Sequence, residues 1–240
     1  MGNTDEAMEE ETSRRGAKRV LFSGVGGCIG TAILDRLDRD GWDVAAFSHE
    51  EAERRSIVVD FEHDEAIAAA VAAAGGSYDA IVLAHGILEP GPWEDTSPSA
   101  WRRLLNVNLN SIYAILHAAL PRVRNEGSIV VVSSTAAFDH SPVGGPHYTV
   151  SKWALNGLVR HLASELGPSG IRINAVCPSL VDSPMGRALL TEQQYLDAFK
   201  DIPLRRPARP EEIAAAVMYL LSGESSYITG GLIPVSGGYR

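Results

Sequence analysis

From residue 18 onward, short apolar runs with little polar alternation recur along the chain: RVLFSG (19–24), WDVAAF (42–47), SIVVD (56–60), DAIVLAHG (79–86), GSIVVVSS (127–134), IRINAVCP (171–178) and GLIPVSGG (231–238). A strand with one face in water alternates apolar and polar residues, whereas one covered on both faces does not. These runs therefore predict the buried strands of a parallel sheet. Between most of them apolar positions recur at helical spacing, over 29–39, 64–74, 99–117, 148–166 and 210–221. Punctuation agrees: Thr96, Ser97 and Ser99 offer caps around Pro98, Gly167-Pro168 stops the fourth helix, and Pro210 with two glutamates opens the last. Strand and helix in alternation predict right-handed βαβ units and an α/β fold, doubly wound, with about seven parallel strands and helices on both faces. The connection over residues 49–55 is too short for a crossover helix, so a loop or single turn is expected there.

Residues 1–17 break the pattern: they are polar and rich in acids, and read as a mobile acidic tail ahead of one domain over 18–240. Elsewhere composition changes the picture little. Hydrophobic residues make up 45% and charged ones 21%, which suits a globular domain large enough for one core. The net charge of -9 argues against nucleic acid or an anionic membrane as partner. Cys28 and Cys177 are the only cysteines, too few for a disulfide framework, so a reducing cytoplasm is the expected compartment. No apolar run reaches the roughly eighteen residues of a membrane span, and no metal is expected.

Two stretches carry candidate chemistry. SGVGGCIG (23–30) leads from the first strand into the first helix. Glycines there permit positive φ and let backbone approach a pyrophosphate, whose charge sits on the helix N-terminus; a tight structural turn is the competing reading. In GGPHYTVSKWALNGL (144–158), Tyr148 and Lys152 stand one helical turn apart. Packing explains such a pair, with a tyrosine at the core edge and a lysine snorkelling past it. A tuned acid/base explains it too.

These stretches, with Asn108 in NVNLNSIY and Ser134 at the end of GSIVVVSS, resemble a classical short-chain dehydrogenase/reductase over about residues 18–238. That family's turn reads Thr-Gly-x-x-x-Gly-Ile-Gly. Ser23, Gly24, Cys28, Ile29 and Gly30 take those places, with Cys28 at the middle glycine and Gly26 and Gly27 adding latitude. The resemblance implies a single Rossmann-type domain and an oxidoreductase that moves a hydride between a nicotinamide cofactor and a secondary alcohol or ketone. Tyr148 would be the acid/base, Ser134 would hold the substrate oxygen, and Lys152 would reach the cofactor ribose. Asn108 would be structural and would hold a water in a proton relay. A free phenol titrates at about pH 10, and a neighbouring ammonium on the same helix face, together with a positive oxidised nicotinamide, favours phenolate, so the two are expected to acidify Tyr148.

Further positions follow from the resemblance. Ser48 stands where an acid would select NAD(H), and with His49 and Arg54 or Arg55 it leans the choice toward NADP(H), against the opposite charge of Glu50 and Glu51. Asp60 and Phe61 would border the adenine, and Ala84 and Gly86 of LAHG (83–86) the adenine ribose. Pro178, Val181 and Ser183 would pass the nicotinamide. Residues 182–206 would form a mobile substrate loop, with Met185, Leu189, Leu190, Tyr195 and Phe199 on its apolar side. His85, Ile87, Leu88, Ala136, Phe138 and His147 would form the opposite wall, for a largely apolar alcohol or ketone. A homo-oligomer, tetramer or dimer, is expected through helices 99–117 and 148–166. Two rivals remain: a non-catalytic dinucleotide-binding sensor or scaffold, and an epimerase or dehydratase of the superfamily's longer, extended branch.

Overall fold

In the computed structural model, which describes residues 16–51, 56–184, 187, 191–198 and 200–239, seven strands form one sheet in the order β3-β2-β1-β4-β5-β6-β7. They are β1 (Arg19–Ser23), β2 (Asp43–Ser48), β3 (Ile57–Val58), β4 (Tyr78–Leu83), β5 (Val123–Val132), β6 (Arg172–Pro178) and β7 (Leu232–Val235). Every neighbouring pair is parallel. The chain returns from β3 to pair β4 with β1, so the winding reverses between those two strands, where doubly wound sheets open a crevice at their carboxyl ends.

The central strands feed two cores, which is why their sequences do not alternate. Val20 and Phe22 of β1, Ala80 and Val82 of β4, and Val130 and Val132 of β5 pack against helices α1 (Cys28–Arg39) and α7 (Pro210–Leu221). Leu21, Ile81, Leu83, Ile129 and Val131 face the other way, onto α2 (Asp64–Ala74), α4 (Ser111–Ala119) and α5 (Pro146–Leu166). The caps act as their residue types suggest. Ser97 Oγ accepts the Ala100 amide at 3.1 Å ahead of α3 (Pro98–Leu105), and the Glu212 carboxylate accepts the Arg209 amide at 2.7 Å.

Four local expectations need correction. The helix expected over 99–117 is interrupted: between α3 and α4, Asn106–Asn110 form a π-helical turn, closed by the Ser111 N–H donating to the Asn106 carbonyl, with Ser111 Oγ donating to the Val107 carbonyl at 2.6 Å. The third strand shrinks to two residues because Asp60 turns its carboxylate onto the Glu62 amide at 2.9 Å and His63 Nδ1 at 2.8 Å. The fifth strand starts at Val123, four residues early, with Glu126 at φ 66 and a register shift against β4. Within the expected loop 182–206 stands a short helix, α6 (Glu192–Ala198). Residues 1–15 of the tail lie outside the described residues, as do Arg54, Arg55, Met185, Leu189, Leu190 and Phe199. No helix among the described residues is long and apolar enough to cross a membrane.

Candidate active site

The glycine turn joins β1 to α1, and two of its glycines are sterically required. Gly24 has φ 106, and a Cβ there would stand 2.6 Å from the Ala84 carbonyl carbon, since the ends of β1 and β4 touch at this point. A Cβ on Gly30 would stand 1.8 Å from the Gly24 carbonyl oxygen. Gly26 and Gly27 meet nothing closer than His49 Cε1 at 4.0 Å and the Gly24 oxygen at 3.9 Å, so their free faces look into open space. Cys28 opens α1, whose first turn carries no acid, which leaves its amide dipoles suited to an anion. The half-buried Cys28 thiol is pushed up by burial, and a hydrogen bond with Ser183 pulls the other way.

A cleft of about 440 Å³ starts at this turn and runs along the carboxyl ends of the strands. Gly26, Gly27, Cys28, Ile29 and Gly30 form its first wall, and Ala84, His85 and Gly86 its floor. Ser134, Tyr148 and Lys152 stand at the far end, against Pro178, Val181 and Ser183. Five segments, the β1–α1 turn, the ends of β4, β5 and β6, and α5, thus bring together residues spread over most of the chain.

Tyr148 sits in the first turn of α5, with its ring against the Gly144 backbone: a Cβ on Gly144 would be 2.9 Å from Tyr148 Cδ1. Lys152, one turn on and buried, donates from Nζ to the Val132 carbonyl at 3.2 Å and lies 5.6 Å from the Tyr148 ring centroid. Burial pulls Lys152 down to about 8, while burial pushes the Tyr148 phenol above its ordinary value and its hydrogen bond with Ser134 opposes the rise. Among the protein's own groups, burial thus outweighs the acidification expected of Lys152. The ammonium lies 5.6 Å from the ring centroid and donates to a strand carbonyl, and burial is the larger influence on the phenol. Ser134 accepts the Ala136 amide at 3.1 Å, which fixes its hydroxyl toward the cleft end of β5.

Asn108 stands in the π-helical turn, buried, outside the cleft lining. Its amide accepts from the Ile87 N–H and donates to the Ile87 carbonyl, both at 2.8 Å, and donates to Ser151 Oγ at 3.3 Å. Those bonds hold the segment after β4. Gly86 lies between this side chain and Lys152: a Cβ there would be 3.2 Å from Asn108 Oδ1 and 3.7 Å from Lys152 Nζ.

Other expected site residues have their side chains engaged elsewhere or lie off the cleft. His85 borders it, but its ring is committed elsewhere. Nδ1 meets Ser23 Oγ and Nε2 meets Ser111 Oγ, each at 2.7 Å, and the ring stacks on Phe61 at 4.1 Å. Burial first, and Lys152 second, hold it down at about 3, so it is a neutral tie between β1 and α4. Ser23 and Phe61 are thereby part of the interior. Ser48 is buried, donating to the Glu50 carbonyl at 2.6 Å and bonded to Ser56 at 2.7 Å, while His49 is exposed beside Glu50 at 3.5 Å. Asp60 is taken up by its own turn. Ala136, Phe138 and His147 lie off the cleft wall, since Ala136 and His147 point into packed surroundings and Phe138 outward. Val143 and Leu180 line it instead, with Ile87 and Leu88. Neither Val143 nor Leu180 has a sequence signal beyond its closeness to Tyr148 or Val181.

Comparison with known proteins agrees with this geometry. The family model described as Enoyl-(Acyl carrier protein) reductase matches residues 24–240. The human protein named dehydrogenase/reductase SDR family member 4 is 32% identical over 232 residues, covering 88% of this chain and 83% of its own. A 3-alpha-(or 20-beta)-hydroxysteroid dehydrogenase of Mycobacterium bovis is 36% identical over 208 residues, covering 85% and 77%. Among solved structures, a 3-oxoacyl-[acyl-carrier protein] reductase with bound NAD from Brucella melitensis superposes with a TM-score of 0.82 at 28% identity, over 93% of this chain and 91% of that one.

Proposed function

The chain belongs to the short-chain dehydrogenase/reductase family, an oxidoreductase family, and on that premise we propose that it interconverts an apolar secondary alcohol and its ketone with a nicotinamide dinucleotide. One observation carries the reading: Tyr148, Ser134 and Lys152 line the same cleft as the open faces of Gly26 and Gly27.

The residues present fit a dinucleotide. Gly24 and Gly30 make the close-packed turn, Gly26 and Gly27 leave room above it, and the acid-free start of α1 favours a pyrophosphate. Ile29, Ser183 and the backbone of Val181 border the same path toward the nicotinamide end. A bound nicotinamide would supply or accept the hydride; the protein's own groups handle orientation and the proton. In the reducing direction Tyr148 is already in the form the reaction needs, a neutral phenol ready to donate to the carbonyl oxygen. Ser134 fixes that oxygen by hydrogen bonding and stabilises the charge that develops on it. Lys152, poised near neutrality, reaches the ribose and, in the oxidising direction, supplies the positive charge that helps remove the phenol proton.

At the adenosine end the reading is NADP(H) ahead of NAD(H). Ser48 presents no acid, and the imidazole of His49 lies near Gly26, a group able to meet a 2′-phosphate. Glu50 beside His49 keeps the margin small. For the substrate, the walls of Ile87, Leu88, Val143 and Leu180 favour an apolar skeleton, and the steroid named for the mycobacterial relative is of that kind. Exposed Tyr113 on α4 and Val150 and Trp153 on α5 support a homo-oligomer joined through those helices.

Titration with NADH and NADPH, followed by nicotinamide fluorescence, tests the premise of a bound cofactor. Saturable binding of both is expected, with NADPH tighter by a factor of about 2 to 5, less than the roughly tenfold that one unopposed charge contact brings. Binding of neither would overturn the proposal, and tighter NADH binding would reverse the preference alone.

A further inference from the structure

Glu89 and His147 stand outside the cleft, and the chemistry above gives them no part. Yet they occupy the one place where the segment after β4 grips the bend that carries Tyr148. Main-chain contacts begin the grip: the Gly145 amide donates to the Glu89 carbonyl at 2.8 Å, and Pro90 and Gly144 form an antiparallel bridge. Side chains complete it. Glu89 Oε2 lies 3.5 Å from His147 Nε2, and Glu89 Oε1 accepts a short bond from Arg103 Nη1 of α3.

His147 is almost wholly buried, and its Nδ1 has no hydrogen-bond partner. Burying such an atom costs stability, so the contact with Glu89 is the ring's one polar anchor among the described residues. Gly145 makes room for the ring: a Cβ there would stand 2.7 Å from His147 Cε1 and 3.0 Å from the Gly91 oxygen. The imidazole immediately precedes Tyr148, whose own ring leans on Gly144. Movement at His147 or at the Gly144–Gly145 bend is therefore movement of the phenol.

We propose that Glu89 and His147 form a positioning clamp that holds the Tyr148 hydroxyl in register with the cleft, with Arg103 orienting the Glu89 carboxylate. The proposal rests on Tyr148 being the proton donor of the proposed reaction. The geometry of the clamp itself does not, and can be read without turnover. A misplacement of about 1 Å at a reacting group costs as much as 10²-fold in rate, so the clamp's effect belongs in kcat.

The test compares wild type with Glu89→Ala, Glu89→Gln, His147→Phe and the double variant Glu89→Ala/His147→Phe, with folding checked by thermal melting. Protein carrying ¹³Cζ-tyrosine reports the Tyr148 resonance, assigned by its loss in Tyr148→Phe. That resonance is expected to shift or broaden in Glu89→Ala and His147→Phe and to change less in Glu89→Gln, whose single amide oxygen still accepts from one of the two donors. With a turned-over ketone, kcat should fall roughly tenfold in each of the first two, with the NADPH Kd held within about twofold. The double variant should lose no more than the worse single. Should Glu89→Ala fail to fold, Arg103→Ala at the exposed end of the clamp carries the same test. An unchanged Tyr148 resonance in folded variants, or losses that appear in Kd rather than kcat, would overturn the clamp. Absence of any turnover by wild type would overturn the proposed reaction, with the resonance still deciding on the clamp.

Discussion

Tyr148→Phe should lower kcat for ketone reduction by about 10²- to 10⁴-fold while dinucleotide binding persists. Phenylalanine keeps the ring that packs on Gly144 and lies under Lys152, so the bend and the helix have no reason to move. What disappears is the hydroxyl that hydrogen-bonds Ser134. Because the phenol stays protonated at neutral pH, the loss should be of an acid already loaded with its proton, and raising the pH from about 5.5 toward about 7, below the titration of Lys152, should leave the wild-type reductive rate nearly level. Steady-state kinetics together with a fluorescence titration check both halves. Turnover that survives the substitution would remove Tyr148 from the chemistry.

Lys152→Met should abolish turnover and make the unliganded protein more stable at pH 7. Burial holds the folded-state value of Lys152 near 8, against an ordinary lysine value of 10.5. Below about pH 8 both states carry the proton, and the folded state bears the whole desolvation cost. Between 8 and 10.5 the unfolded chain binds more protons than the folded one, so wild-type stability rises with pH across that window. The cost at pH 7 amounts to about 3 kcal/mol. Methionine removes it and forfeits the Nζ bond to Val132, worth about 1 kcal/mol, for a net gain of roughly 2 kcal/mol and a Tm several degrees higher. Urea unfolding of both proteins from pH 7 to 9.5 should show the gap narrowing as pH rises. A variant no more stable at pH 7, or a gap independent of pH, would mean that Lys152 is not held at a desolvation cost.

Much of the fold is legible in the sequence because the same physical cause writes both. A strand buried on two faces must be apolar at successive positions, and Val20, Leu21 and Phe22 divide between the two cores accordingly. Gly24 and Gly30 are readable because no other residue fits where β1, β4 and α1 converge. Tyr148 and Lys152 share a face at helical spacing, and the strand end before them delivers Ser134 to the same cleft.

The remainder depends on neighbours that no local pattern encodes. Nothing in NVNLNSIY announces a π-helical turn, which arises when the Ser111 N–H bonds back to Asn106 and Asn108 reaches across to Ile87. His85 is a histidine beside a glycine in a strand-end motif. Only the placement of Ser23 and Ser111 on either side of its ring makes it an interior tie instead of a substrate contact. Ser48 is turned inward by Ser56, a residue across the shortened connection. Spacing locates a charge four residues from Tyr148, whereas burial, the stronger influence on the phenol among the protein's own groups, exists only once the cleft is folded.

The most direct measurement of the central claim follows the hydride itself. Wild-type protein is supplied with reduced dinucleotide carrying deuterium at both C4 positions and with an apolar ketone, and the product is analysed by NMR and mass spectrometry. One deuterium on the carbinol carbon is expected, with the hydroxyl proton drawn from solvent through Tyr148. Dinucleotide that binds tightly, yet passes no label to any carbonyl in a broad panel of ketones, would contradict the account and identify a sensor or scaffold in its place.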